Sequence, residues 1–396
     1  MQMIADFLEW LLGEEAKAIV LTIGAIGSLL IGLVALFEYL RRRQRDREIE
    51  VLRVTLKQKQ DALDEQQREA DRRDEKFRKQ HQELENLRTA VLGSEGELWR
   101  IHKPQYFSGY FDWIARRRPI IITVANLKGG VGKTTLTTSL AAFFDAEANK
   151  RVLVVDLDYQ GSLSNMMLSA SRETDVASQV NHILDGSTQP GNYEEVSVHL
   201  DPMLPKTWLI PAYYALAPLE NRLMVDWLMQ ESSDDIRYRL ARFLSHEHIQ
   251  RDFDIVLIDV PPRLTTGTIN ALCASTHLLV PTVMDRTSAE AVGSFLRAAR
   301  NLKATLNPGL ELLGIVGLLT HQQHGLHETE ERAKVRILEQ LPQVWGPNQI
   351  IFNRHIPRRM EFSRAAGEGI AYLNGTGEVR EWMNTLGGEI RVRIGG

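Results

Sequence analysis

The chain is poor in cysteine and has no large excess of charge of one sign. It has 396 residues but a single cysteine, Cys273, so one chain can form neither a disulfide nor a cysteine metal site. That composition suits a reducing compartment, and the apolar stretch around Cys273 is typical of a buried small side chain. With 47 basic and 51 acidic residues, the net charge is −4, so no global basic field indicates a nucleic-acid partner.

The first 17 residues lack the basic leader of a signal peptide, because four acidic residues precede the apolar run that follows. The run at 18–37 carries no charge and is long enough, as a helix, to cross the hydrocarbon core of a bilayer. It is apolar around its whole circumference, unlike a helix on the surface of a soluble core. We therefore predict a transmembrane helix over 18–40, after a short extracytoplasmic or interfacial segment over 1–17.

Positive charge is distributed unequally on the two sides of this run. Only Lys17 precedes it, whereas five arginines follow it closely, namely Arg41, Arg42, Arg43, Arg45 and Arg47. Because cytoplasmic flanks are enriched in Lys and Arg, we expect a single-pass protein of a bacterial-type inner membrane, with its N-terminus outside and the remainder cytoplasmic.

Residues 41–92 combine this basic juxtamembrane segment with a seven-residue apolar repeat, the period of a left-handed coiled coil. The repeat consists of Ile49, Leu56, Leu63, Ala70, Phe77, Leu84 and Val91. The complementary core position is mostly polar, so a single solvated helix is the alternative to a stalk that joins two chains. As a helix, residues 48–92 would span roughly 65 Å.

Glycines at 93 and 96 end the helical pattern, and residues 93–118 form an unusually aromatic linker. We expect the linker to pack on the domain that follows, over 119–396, rather than to bind an external ligand. Within that domain, residues 162–251 have a mostly helical pattern without a chemical signature.

A glycine-rich loop follows the apolar run 119–124 and precedes a helical segment. Its glycines let backbone N–H groups surround a phosphate, and the following helix presents its positive N-terminus to the anion. In this pattern the second lysine faces the β- and γ-phosphates and the next threonine donates its hydroxyl oxygen to Mg²⁺. The loop residues are Lys128, Gly129, Gly130, Val131, Gly132, Lys133, Thr134 and Thr135.

Two further apolar runs end in aspartates, at Asp156 and Asp158 and at Asp259. In open α/β sheets, ligands bind outside the carboxyl ends of the strands. Asp259 fits the carboxylate on the Mg²⁺ side, acting through a bound water. Asp158 and Asp156 are the candidates for orienting the attacking water, a task that needs positioning more than a strong base.

The loop, with its extra Lys128, resembles the deviant Walker A loop of the ParA/MinD (Soj-like) family of P-loop ATPases. The blocks 152–161, 254–262, 208–212 and 356–363 resemble further family segments, so the similarity covers roughly 120–372. Tyr159 stands where many ParA proteins have proline. The resemblance implies an α/β fold with a doubly wound, mostly parallel P-loop sheet flanked by helices, here preceded by the transmembrane helix and the coiled-coil helix.

The resemblance also implies an activity: slow hydrolysis of ATP to ADP with ATP and Mg²⁺ as cofactors. In the family, the lysine equivalent to Lys128 reaches the nucleotide of a partner chain, so ATP joins a homodimer. Asp158 is favoured over Asp156 as the catalytic aspartate, and Pro357 is expected to contact ATP. From the anchor and this ATP-dependent dimer, we expect a membrane-anchored switch that positions or recruits a protein cargo or effector.

Alternative functions remain open. An ATP-gated membrane scaffold or a defence-type sensor could use the same dimer. An exopolysaccharide-type tyrosine kinase shares the anchor and related motifs, but Tyr372 is the last tyrosine and no C-terminal tyrosine cluster exists.

Two polar groups complete the candidate sites. His321, His324 and His327 are spaced by three, yet lack the carboxylate or cysteine partners of a metal site. Arg354, Arg358, Arg359 and Arg364 lie where nucleoid-binding ParA proteins grip DNA, but Glu361, Glu368 and the acidic balance disfavour nonspecific DNA as a partner.

Overall fold

The computed structural model describes residues 1–93, 96–171, 179–321, 325–347, 350–362, 364 and 369–395. The chain divides into two compact units, Met1–Glu85 and Asn86–Gly396.

The first unit is helical. Helix α1 spans Gln2–Leu12, and helix α2 runs without interruption over Glu14–Leu92. Among the described residues, α2 is the one helix apolar and long enough to cross a membrane, and none of its most apolar stretch is buried. The side chains of the seven-residue repeat are exposed in the single chain, from Ile49 at 48% to Phe77 at 69%. The side chain of Val91 lies outside the described part.

The second unit contains one sheet of eight strands in the order β3-β4-β2-β5-β1-β6-β7-β8. All neighbours are parallel except β3 and β4. The strands are β1 Ile120–Val124, β2 Val152–Asp156, β3 Val198–His199, β4 Thr207–Ile210, β5 Ile255–Asp259, β6 His277–Val283, β7 Glu311–Thr320 and β8 Ile356–Pro357.

Helices cover both faces of the sheet. They are α3 Tyr110–Arg116, α4 Lys133–Ala146, α5 Ser162–Ser171, α6 Asn181–Leu184, α7 Leu216–Leu228, α8 Arg239–Leu244, α9 Glu247–Asp252, α10 Thr266–Ala274, α11 Arg286–Leu306, α12 Glu328–Val344, α13 Ala371–Asn374 and α14 Gly377–Arg393. Residues 162–251, expected to be mostly helical, therefore also include β3 and β4.

The central strands are continuous apolar runs because successive side chains enter two different cores. Ile121 and Leu153 point into the core that contains α10 and α11, whereas Ile122 and Val154 point into the core that contains α4 and α14. This arrangement is the predicted doubly wound α/β fold, and it brings the carboxyl ends of the parallel strands to one edge.

The aromatic linker belongs to the first of these cores. Trp99, Tyr110 and Trp113 are buried there, and the Tyr110 hydroxyl donates a hydrogen bond to the Cys273 carbonyl oxygen over 2.8 Å. The linker is thus part of the packed α/β unit rather than a free connection.

Candidate ATP-binding and hydrolysis site

The glycine-rich loop connects β1 to α4 at the carboxyl edge of the sheet. Gly132 caps α4 with φ of +88°, a left-handed conformation that favours glycine. A Cβ there would lie 3.0 Å from Leu318 Cδ1. The close packing of the loop against β7 therefore requires a glycine, and it holds the positive N-terminus of α4 at the cavity.

A cavity of about 480 Å³ opens beside this loop. Its lining brings together most of the predicted site: Gly129, Gly130, Gly132, Lys133, Thr134, Thr135 and Asp158. Val131 is buried beneath the loop. The backbone N–H groups and polar side chains in this lining are suited to phosphates.

Apolar side chains also line the cavity, namely Leu136, Leu318, Leu319, Ile356, Phe362 and Met383. Ile356 and Phe362, like Gln160 and Pro262 in the same lining, lie inside the motif blocks of the sequence analysis. Leu136, Leu318, Leu319 and Met383 lie outside those blocks and were missed. Met383 lies on α14, and no local pattern connects it to the loop.

The side chain of Asp259 lies directly beneath Thr134. The Thr134 hydroxyl donates to Asp259 Oδ2 over 2.7 Å, while the buried Oδ1 has no hydrogen-bond partner within the described part of the chain. Burial, followed by the nearby charge of Asp156, raises the pKa of Asp259 to about 8. A bound cation would stabilise the charged carboxylate of Asp259 and so oppose the effect of burial. Hydroxyl and carboxylate oxygens are also the ligands that Mg²⁺ prefers. Both residues therefore fit a magnesium site.

Asp156 and Asp158 have different surroundings although they are two residues apart. Asp156 is fully buried and accepts hydrogen bonds from the Asp158 N–H, the Ser164 N–H and the Ser164 hydroxyl, at 3.0, 3.0 and 2.7 Å. Asp158 is half-buried and lines the cavity, where its Oδ1 accepts the Gln160 N–H over 3.1 Å. Asp156 thus shapes the loop, and Asp158 faces the site.

Lys133 lines the cavity and is almost completely buried. Burial lowers its pKa, while the carboxylates of Asp259 and Asp158 act in the opposite direction. The Lys133 ammonium group thus places a positive charge in the cavity, where it would attract a bound anion.

The side chain of Lys128, unlike that of Lys133, contacts the start of α11. Its Nζ lies 3.2 Å from Asp285 Oδ2 and 2.7 Å from Ser288 Oγ at the start of α11. Its backbone N–H donates to Asn126 Oδ1 over 3.0 Å, which fixes the base of the loop. The Lys128 side chain, one third exposed, is therefore held at the surface beside the cavity.

Pro357 is buried in β8, where it pairs with Thr320 of β7. Its neighbour Ile356, rather than Pro357, lines the cavity. Ser363, at the end of the same sequence block, lies outside the described residues.

The histidine group has structural partners. His321 Nδ1 lies 2.8 Å from Glu330 Oε1, and His327 caps α12 by accepting the Thr329 N–H. His324 lies outside the described residues. In the described ranges, no cluster of three or more His, Cys, Asp or Glu side chains could hold a metal ion.

The arginine group is partly engaged in packing. Arg354 and Arg359 stack over the ring of Trp382 at 5.3 and 5.4 Å, and Arg359 also pairs with Glu378 at 3.1 Å. Glu368 lies outside the described part of the chain.

Comparison with known proteins agrees with this geometry. A family model described as an AAA domain matches residues 120–312. The chromosome-partitioning ATPase Soj of Thermus thermophilus is 36% identical over 197 residues, which are 49% of this chain and 67% of that protein.

Solved structures share the fold. Cobyrinic acid a,c-diamide synthase of Mycobacterium smegmatis, with bound ATP analog and magnesium, is 27% identical with a TM-score of 0.54, covering 68% of this chain and 93% of that chain. Apo McdA of Cyanothece has a TM-score of 0.56 at 18% identity, covering 69% of this chain and 99% of that chain. The chain therefore belongs to the Soj/ParA family of P-loop ATPases, and it is an ATPase that uses ATP and Mg²⁺.

Proposed function

We propose that this ATPase is a membrane-anchored switch. Two chains associate when ATP is bound, separate after hydrolysis to ADP, and thereby position or recruit a partner protein. The observation that carries the proposal is the position of the Lys128 side chain, whose Nζ contacts Asp285 and Ser288 rather than the cavity of its own chain.

The Lys128 contacts would cost little to exchange. The Asp285 side chain is 46% exposed, and exposed ion pairs contribute only about 0–1 kcal/mol. A phosphate of a partner's nucleotide offers more negative charge than one carboxylate. We therefore infer that Lys128 leaves Asp285 and binds the nucleotide of the second chain, where it also stabilises charge on the transferring phosphoryl group.

The remaining roles follow from position. Thr134 and Asp259 would hold Mg²⁺, which supplies charge neutralisation at the phosphates. Lys133 binds the phosphates from within the same chain, and the N-terminus of α4 adds backbone donors. Asp158, at the edge of the cavity, orients the attacking water.

Membrane anchoring rests on the exposed apolar stretch of α2 and on its flanks. An apolar surface of this length is stable in lipid and costly in water. The five arginines that follow favour a cytoplasmic ATPase unit. The exposed seven-residue repeat of α2 offers a seam through which two anchored chains would associate.

The experiment that tests this function is a complementation of two inactive variants of the full chain. Lys128→Ala removes the cation, and Asp158→Ala removes the water-positioning carboxylate. In a mixed dimer, the Lys128→Ala chain keeps its own Asp158 and receives Lys128 from its partner. We expect each variant alone to be inactive and the mixture to regain ATP hydrolysis, with up to about a quarter of the wild-type rate.

The matched control replaces the Asp158→Ala chain by one that carries both substitutions. This chain supplies no cation, so its mixture with Lys128→Ala should stay inactive. If both single variants bind ATP but their mixture is inactive, Lys128 does not act on the nucleotide of the partner chain.

A further inference from the structure

The linker is fixed to the ATPase unit by a buried arginine. Arg237 is fully buried, and its guanidinium donates to the carbonyl oxygens of Trp99 over 2.6 Å and His102 over 3.3 Å. The same guanidinium pairs with Asp235 Oδ2 at 2.6 Å and lies over the Trp227 ring at 4.8 Å. A buried arginine with this many partners holds the backbone at Trp99 firmly.

The Trp99 side chain extends from this fixed point to the loop that follows Asp259. It is 2% exposed and stacks on Trp227 with 5.3 Å between ring centroids. Its Nε1–H donates to the Leu264 carbonyl oxygen over 2.9 Å. Trp99, Leu264, Pro262 and Asp158 also line one groove, with a volume of about 620 Å³.

The loop over 260–265 connects the proposed magnesium carboxylate to α10. Pro262 lines the nucleotide cavity, and the Thr268 hydroxyl of α10 donates to the Arg263 carbonyl oxygen over 2.7 Å. Trp99 holds the next carbonyl along, at Leu264. The loop is therefore positioned between α10 on one side and the linker on the other.

We infer that Trp99 is a positioning residue for ATP hydrolysis. By holding Leu264, its indole N–H fixes the loop that presents Pro262 beside Asp158, and so the rate of hydrolysis depends on the linker that joins α2 to the ATPase unit. The inference rests on the ATPase activity alone and does not require the membrane anchor or the ATP-dependent dimer.

The test compares Trp99→Phe with Trp113→Phe in the full chain purified in detergent. Trp113 is a second buried linker tryptophan, but its Nε1 has no hydrogen-bond partner among the residues described. Both changes remove the same atoms, and only Trp99→Phe removes a hydrogen bond. We expect kcat to fall about 5–10-fold in Trp99→Phe with KM for ATP within about twofold, whereas Trp113→Phe retains wild-type kcat.

Several results would overturn the inference. They are an unchanged kcat in a folded Trp99→Phe variant, an equal loss in both variants, and a raised KM with normal kcat. Thermal midpoints of both variants identify any loss that comes from unfolding alone.

A second pair of variants disturbs the side chain of Leu264 without altering tryptophan. Gly96 and Gly109 both have positive φ, at +94° and +85°. A Cβ at Gly96 would lie 3.3 Å from Leu264 Cδ1 and 3.4 Å from Leu302 Cδ1, whereas one at Gly109 would meet no described atom within 4 Å. Gly96→Ala should lower kcat more than Gly109→Ala at matched backbone strain. Equal kcat values for the two variants would count against a role of the Leu264 position in ATP hydrolysis.

Discussion

At the scale of single residues, two aspartates that lie two positions apart in the sequence have different surroundings. Asp156 is buried and accepts hydrogen bonds from Ser164 and from the Asp158 N–H, whereas Asp158 lines the cavity. The alternation of strand side chains would have put the two on one face. The chain instead leaves β2 at Asp156, so the two aspartates have separate surroundings.

Asp158→Ala should therefore abolish turnover while retaining the fold. We expect hydrolysis to fall by at least about 100-fold, the contribution typical of a positioned side chain acting on a proton or water. ATP binding, measured with a fluorescent ATP analogue, should persist. Asp156→Ala should instead lower the thermal midpoint, because it leaves the Ser164 hydroxyl and the Asp158 N–H without their acceptor. Equal unfolding of both variants would contradict this assignment.

His355 predicts a pH dependence of stability. Burial lowers its pKa to about 4, and Lys334 adds to this effect. An unfolded histidine binds its proton near pH 6.5, so the unfolded state gains protons first as the pH falls. The contribution of His355 to the free energy of unfolding is therefore fully present above pH 6.5. It is lost progressively as the pH falls from 6.5 to 4.

The measurement is the thermal midpoint at pH 7 and pH 5 for the wild type and for His355→Gln. Between pH 7 and pH 5, we expect the midpoint of the wild type to fall by about 2–4 °C more than that of His355→Gln. This is the shift that about 1 kcal/mol causes in a domain of this size. Parallel pH profiles would show that His355 makes no such contribution.

At the scale of elements, the central part of the fold was predictable and its periphery was not. The strands β1, β2 and β5 are apolar runs next to glycine or aspartate signals, and both the loop and the carboxylates follow from those patterns. β3 has two residues and gives no periodic signal. Met383 reaches the cavity only because α14 packs beside α4, a contact that no local pattern encodes.

Helix α2 carries an apolar seam that single-chain packing leaves exposed. Leu63→Cys on that seam should form a disulfide-linked dimer on mild oxidation in membranes, because matching seam positions approach each other in a parallel coiled coil. Asp61→Cys, on the opposite face, is the matched control and should not. The only native cysteine, Cys273, is buried and adds no background. Equal cross-linking at both positions would contradict the seam.

At the scale of the whole molecule, the proposed switch combines a permanent anchor with a nucleotide-dependent contact. Deletion of residues 1–40 should move the protein from the membrane fraction, where it resists alkaline carbonate extraction, to the soluble fraction. ATP hydrolysis should persist, because the ATPase unit contains its own core. A wild-type chain that carbonate releases from membranes would contradict a spanning helix.

The central claim is that ATP joins two ATPase units. The most direct test is the mass of the fragment 86–396, which forms a compact unit of its own, without nucleotide, with ADP and with ATP in the Asp158→Ala background. We predict a monomer in the first two conditions and a dimer with ATP, lost when Lys128→Ala is added. A mass that does not respond to ATP, in a fragment shown to bind ATP, would contradict the account.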